Sequence, residues 1–126
     1  GIIVCPSNPF LSVDPILSVH GLKEALIASK VPIVAVSPLI NGQAVKGPTA
    51  KIMKELRLVL SPVSVAAHYQ DFINGFILDE SDAEHAVEIT KSGMSVVTAQ
   101  TLMASLDDRI NLAQTAVNLC DELRGH

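Results

Sequence analysis

Val31-Pro32-Ile33-Val34-Ala35-Val36-Ser37-Pro38 sets four consecutive apolar residues between two prolines. A run this short, rich in β-branched residues and apolar at every position, has no solvent-facing side. It reads as a strand of a parallel sheet, buried on both faces. Pro32 biases Val31 away from helix, so any helix that precedes the run must stop before it.

Three further runs share this character: Ile2 to Cys5, Phe76 to Leu78 and Met94 to Val97, each bounded by Pro, Gly or polar residues. The segments between them carry helical spacing. Leu22, Ala25 and Leu26 follow Gly21 and lead to a stop near Lys30. Gly47 and Pro48 open a helix with Ile52, Met53 and Leu56 on one face, with Pro48 in the first helical position, where a missing amide proton costs nothing. Ser61 and Pro62 supply an N-cap and a first-turn proline for Val63 to Gln70.

Ser81-Asp82-Ala83-Glu84 has the form of a capping box, opening a helix with Ala83, Ala86, Val87 and Thr90 on one face and Gly93 at its end. Ser105-Leu106-Asp107-Asp108 is a looser version of the same signal. It predicts a long closing helix whose core face is Leu106, Ile110, Ala113, Val117 and Cys120. The resulting order is strand, helix, strand, helix, helix, strand, helix, strand, helix. It predicts an α/β fold: a three-layer, Rossmann-like parallel sheet with right-handed crossovers and helices on both faces. Because Gly1 to Cys5 already reads as a strand with no initiator Met, residues 1–126 are expected to be the carboxyl-terminal part of a single domain, truncated on its amino-terminal side.

Composition narrows the partners. The apolar residues are Ala, Val, Ile and Leu with few aromatics, which suits helices over buried parallel strands. A net charge of -4 with scattered basic residues gives no stripe for nucleic acid. No apolar run approaches the roughly 18 residues of a membrane span, so no membrane partner is expected. Cys5 and Cys120 show no paired spacing, which suits a reducing cytoplasm. His20, His68, His85 and His126 form no metal-ligand pairing or triad pattern.

Ligands of open α/β sheets bind beyond the carboxyl ends of the strands. After the first run, Pro6-Ser7-Asn8-Pro9-Phe10-Leu11-Ser12 offers hydroxyls, a side-chain amide and backbone amides; the same residues would also serve as plain turn caps. After the second run, the connection from Ser37 to Thr49 carries Lys46 beside Gly47 at a helix start, a combination suited to an anion, although a loop lysine is often only solvated. Asp79 and Glu80 end the third run, where ligand contact and capping compete, with capping favoured for at least one. Thr98, Gln100 and Thr101 after the fourth run are weaker candidates, better suited to structural hydrogen bonds. Residue chemistry alone therefore reaches a phosphate-compatible cleft and no catalytic residue.

Cys5-Pro6-Ser7-Asn8-Pro9 with Ser12 and Pro15-Ile16-Leu17, Val34 to Pro38, and Val45-Lys46-Gly47-Pro48-Thr49-Ala50-Lys51 occur in order, followed by Val65 to Tyr69, Gly75 to Glu80, Thr101-Leu102-Met103 and Asp108-Arg109. Together they resemble the second half of the 2-phospho-L-lactate transferase family of coenzyme F-420 biosynthesis. The resemblance implies transfer of a 2-phospholactyl or phosphoenolpyruvyl group from its guanosine diphosphate ester to a deazaflavin, 7,8-didemethyl-8-hydroxy-5-deazariboflavin, with GMP leaving and magnesium assisting. It implies that Ser7, Asn8 and Ser12 line the nucleotide or deazaflavin cleft. Ser37 would join them as a substrate-binding residue, and Lys46, with the amides of Gly47 and Thr49, would face phosphate oxygens.

The same resemblance places a glycine-rich strand-turn-helix and the acidic metal-holding residues before Gly1. It therefore implies an inactive isolated chain that holds no metal, and a homodimer for the whole protein. Two other expectations stand beside it: a non-enzymatic regulator of cell-wall metabolism that binds a nucleotide-sugar in the equivalent cleft, and a packing or dimerisation half that binds no small molecule.

Overall fold

The computed structural model describes residues 1–125. The chain runs through β1 (Ile2–Val4), a π-helical turn (Pro9–Val13), α1 (Asp14–Leu17), α2 (Leu22–Ala28) and β2 (Ile33–Val36). A small hairpin follows, β3 (Leu39–Ile40) and β4 (Gln43–Ala44), then α3 (Thr49–Glu55), α4 (Pro62–Tyr69) and β5 (Gly75–Asp79). A 3-10 turn (Glu80–His85), α5 (Ala86–Thr90), β6 (Ser95–Ala99) and α6 (Leu106–Arg124) complete it.

The main sheet is parallel throughout, in the order β1-β2-β5-β6, with Val34 opposite both Ile3 and Gly75 and with Phe76 opposite Val96. Strands therefore march in one direction across the sheet. Right-handed crossovers that step one way deposit every crossover helix on the same face. That face carries Ile33, Ala35, Phe76 and Leu78, packed by Met53 of α3, Val65, Ala66 and Tyr69 of α4 and Ile89 of α5. The opposite face carries Val34, Val36 and Ile77 and is covered by α6 alone, through Leu112, Ala116, Leu119 and Cys120. The expected α/β architecture with helices on both faces is present. No helix among the described residues is long and apolar enough to cross a membrane.

Three expectations about local structure are corrected. α6 buries Leu112, Ala116, Leu119 and Cys120, whereas Leu106, Ile110, Ala113 and Val117 face solvent. Its sequence carries two apolar stripes with similar spacing, and the sheet selects the one that fits against Gly75, where an added Cβ would lie 3.0 Å from Leu119 and 3.1 Å from Leu123.

The expected capping box at Ser81 is absent. Asp79 caps the 3-10 turn instead, and of the predicted face of Ala83, Ala86, Val87 and Thr90 only Ala86 is partly buried; Ile89 faces the core. Pro48 stands at the N-cap of α3 rather than inside its first turn. Ser61 and Ser105 cap α4 and α6 as expected, the latter in a reciprocal box with Asp108. Lys30 at φ 54° and Gly93 at φ 92° turn the chain after α2 and α5. His126 lies outside the described residues.

Candidate functional site

Three segments leave the carboxyl ends of strands β1, β2 and β6 and surround a concavity of about 250 Å³. Pro6, Ser7 and Asn8 follow β1; Ser37, Pro38, Ile40, Val45 and Lys46 come from the connection after β2; Thr49 opens α3; Thr101, Leu102 and Met103 follow β6. Of the residues nominated from the sequence, the fold brings Ser7, Asn8, Ser37, Lys46 and Thr49 to one place. Ser12 lies exposed in the π-helical turn and Gly47 on the surface beside Lys46, and neither lines this concavity.

Asn8 is held by its own turn. Its Oδ1 accepts from the amides of Phe10 at 2.9 Å and Leu11 at 3.1 Å, which fixes the side-chain flip. Its Nδ2 is consequently turned the other way, buried and without a hydrogen-bond partner. A buried, unsatisfied donor costs roughly 1–3 kcal/mol, a cost that a partner from outside the chain would relieve. Ser37 is fully buried; its amide donates to the Ile77 carbonyl at 2.8 Å and its Oγ accepts from the Leu39 amide at 3.1 Å, so the hydroxyl proton stays free to donate.

Lys46 lies two residues beyond the small hairpin. Asn41 at φ 52° and Gly42 at φ 67° form the two-residue turn, both left-handed, as an Asn-Gly pair tolerates. Gly47 at φ 73° then turns the chain into α3, whose N-cap residue Pro48 contributes no side-chain hydrogen bond to the first-turn amides. Among the described residues no carboxylate stands within 4.0 Å of the Lys46 ammonium. The lining of the concavity thus combines one cation, an asparagine whose buried Nδ2 is unsatisfied and several hydroxyl residues, with Ile40, Val45, Leu102 and Met103 as apolar wall. Such a set suits a phosphorylated ligand with an adjoining ring.

Asp79 lies behind this cleft and does not line it. Its carboxylate is buried and takes four hydrogen bonds, from the Ser81 amide and hydroxyl at 3.0 and 2.7 Å and from the Thr101 amide and hydroxyl at 2.9 and 3.0 Å. Burial raises its pKa, but the Ser81 and Thr101 donors outweigh that and hold it below the ordinary carboxylate value. Asp82, also buried, has Oδ2 without a partner; burial lifts its pKa against the nearby amides of Gly42 and Asn41 and the His85 ring. His68 bonds Asp14 at 2.8 Å and packs on Phe10, away from the cleft.

Sequence reading missed the hairpin and gave Leu102 and Met103 no site role. The Asn41-Gly42 pair was the available signal for the former; the latter follow no local pattern and reach the cleft only through the sheet order.

The family model described as "2-phospho-L-lactate transferase CofD" matches residues 1–117. The chain is 40% identical over 122 residues to a 2-phospho-L-lactate transferase of Methanosarcina barkeri, covering 97% of this chain and 39% of that protein. It is 38% identical over 122 residues to the one of Methanocaldococcus jannaschii, covering 97% of this chain and 38% of the relative. A phosphoenolpyruvate transferase of Kitasatospora aureofaciens is 34% identical over 125 residues, 98% of this chain and 39% of that protein. The chain therefore spans about two fifths of the length of the curated relatives it matches.

Proposed function

This chain belongs to the 2-phospho-L-lactate transferase family of coenzyme F-420 biosynthesis, and on that premise we propose that it forms one side of a cleft that transfers a 2-phospholactyl or phosphoenolpyruvyl group from a guanosine diphosphate ester to a deazaflavin. In this reaction a ribityl hydroxyl oxygen of the deazaflavin bonds to the phosphorus that carries the lactyl or enolpyruvyl oxygen, the phosphoanhydride bond to GMP breaks, GMP leaves with the bridging oxygen and the hydroxyl proton is released to solvent. Such transfers depend on alignment and on neutralising phosphate charge, more than on a protein nucleophile.

The observation that carries the reading is that Lys46, Asn8 with its unsatisfied Nδ2, and Ser37 with a hydroxyl proton the chain does not engage all line one concavity. Lys46 would sit against phosphate oxygens, Asn8 and Ser37 would donate to them or to the guanosine ribose, and Leu102 and Met103 would flank a ring. A volume of about 250 Å³ is below the roughly 300–1,000 Å³ of complete small-molecule sites, which accords with a partial cleft and an isolated chain that does not turn over.

The donors present do not suit magnesium. Among the described residues no three His, Cys, Asp or Glu side chains stand together, and both oxygens of Asp79 are already engaged. No carboxylate of the described residues lines the concavity, so its residues would leave any magnesium that assists the transfer to be held by other groups.

Titration of the whole protein with GDP and with the deazaflavin, beside its Lys46→Ala variant, tests the reading. Both ligands are expected to bind, with the GDP affinity of the variant down by at least about tenfold, as for a lost charge-assisted hydrogen bond. Binding of neither ligand overturns it, and binding of a uridine-sugar in their place would transfer the cleft to a regulatory role.

A further inference from the structure

We propose that Asp79 is a positioning residue that ties two walls of the cleft to each other and thereby fixes the place of Lys46 relative to Leu102 and Met103. This rests on the proposed transferase site and adds to it a residue that touches no ligand.

The connections are continuous on both sides. On one side the Asn41 amide, at the tip of the β3–β4 hairpin, donates to Ser81 Oγ at 2.9 Å, and Ser81 Oγ in turn donates to Asp79 Oδ1 at 2.7 Å. The hairpin leads into Val45 and Lys46, so this relay holds the cationic wall. On the other side Asp79 Oδ2 accepts from the Thr101 amide at 2.9 Å and from Thr101 Oγ1 at 3.0 Å. Thr101 leads directly into Leu102 and Met103, so the second oxygen holds the apolar wall.

The side-chain chemistry is specific. Four donors converge on two oxygens, and only an ionised carboxylate accepts at both while donating at neither. Its depressed pKa keeps it in that form at neutral pH. An amide in its place would turn an NH2 toward the donors of either Ser81 or Thr101, freeing one wall. The Ser81 link is the sharper device, since the hydroxyl both accepts from the hairpin and donates to Asp79, and a methyl group does neither.

The test is run on the whole protein with three variants, Ser81→Ala, Thr101→Val and Asp79→Asn, read by amide hydrogen exchange and by GDP titration. The first readout needs no ligand. Exchange is expected to quicken in residues 41–46 for Ser81→Ala, in residues 101–103 for Thr101→Val, and in at least one of these segments for Asp79→Asn, with the sheet strands unchanged. In the titration Ser81→Ala is expected to weaken GDP about fivefold to tenfold, roughly the worth of one hydrogen bond. Because it acts through Lys46, it should weaken GDP no further in a Lys46→Ala background.

Unchanged exchange in both segments overturns the strut. Quickened exchange with GDP affinity intact, or a Ser81→Ala loss that adds in full to that of Lys46→Ala, overturns the positioning role. A wild-type protein that binds no GDP removes the positioning role together with the transferase reading, while the exchange arm still decides whether Asp79 ties the walls.

Discussion

The two ends of the sheet differ in a way that volume alone misrepresents. At the amino ends of the strands lies the larger concavity, about 620 Å³, lined by Lys30, Pro32, Phe72, Asn74, Leu123 and Arg124. At the carboxyl ends lies the smaller, about 250 Å³. In the larger one the chain itself engages Asn74 and the Pro32 carbonyl: Asn74 Oδ1 accepts from the Ile33 amide at 2.8 Å, the Asn74 amide donates to the Ile33 carbonyl at 2.7 Å, and the Pro32 carbonyl accepts from the Ile2 amide. The smaller one is backed by buried Ser37, Thr49, Asp79 and Thr101 and holds an orphan donor. Burying polar groups is costly, and gathering them at one end is the reason we place the proposed ligand there.

The largest expected effect lies at the amino end, and it is on stability alone. Gly75 begins β5, where an added Cβ would sit 3.0 Å from Leu119, 3.1 Å from Leu123 and 3.2 Å from Val34. Gly75→Val adds a branched side chain at that seam between α6 and the sheet, and overpacking of this kind costs on the order of 3 kcal/mol. Urea denaturation should show that loss, while the folded fraction keeps its GDP affinity. If affinity fell as well, the two ends would be coupled through α6 and the division between them would fail.

Next in size is a change at the carboxyl end that separates Asn8's two duties. Asn8→Asp retains an oxygen to cap Phe10 and Leu11, so the turn survives, but it replaces the orphan donor with a negatively charged acceptor. Ligand phosphates would then meet repulsion in place of a hydrogen bond. GDP affinity is expected to fall by more than about tenfold. Retained affinity would mean that the orphan Nδ2 faces no ligand, and would remove the main distinction between the two concavities.

The acid range offers a smaller effect, because two neighbouring carboxyls act in opposite senses. Asp79 has its folded pKa lowered, so its contribution to stability is present above the ordinary carboxylate value and is lost as pH falls through the lower folded value. Asp82 has its folded pKa raised, so its contribution is present below the ordinary value and is lost as pH rises through the raised one. Relative to wild type, Asp82→Asn should therefore gain stability with rising pH across this range, and Asp79→Asn should lose it. Thermal melts between about pH 3 and pH 7 read both differences, and parallel curves for the two variants would refute the assignment.

How legible each end was in the sequence follows the same division. Strand runs such as Ile33 to Val36 and caps such as Ser61-Pro62 are encoded within a few residues, and they emerged where expected. The orientation of α6 was not readable, because Leu106-Ile110-Ala113-Val117 and Leu112-Ala116-Leu119-Cys120 both repeat at helical spacing and only the sheet decides between them. Ser81 misled for a related reason. Its Ser-x-x-Glu spacing imitates a cap, but its hydroxyl is engaged by Asn41, 40 residues away, and by Asp79. At the site, Lys46 and Asn8 were readable from loop chemistry, whereas the wall formed by Leu102 and Met103 depends on β6 lying beside β5.

The smallest expected effect carries the most weight for the comparison. Lys30 and Arg124 are the cations of the larger concavity, and a phosphate site there would have to use them. Lys30 is exposed, and Arg124 is engaged at 3.8 Å by Asp121, a surface pair worth little. The double variant Lys30→Ala, Arg124→Ala should therefore leave stability within about 0.5 kcal/mol and GDP affinity unchanged. An affinity loss matching that of Lys46→Ala would move the anion site to the amino ends of the strands. The cleft at the carboxyl ends would then be a polar seam of the fold whose orphan donor has some other cause.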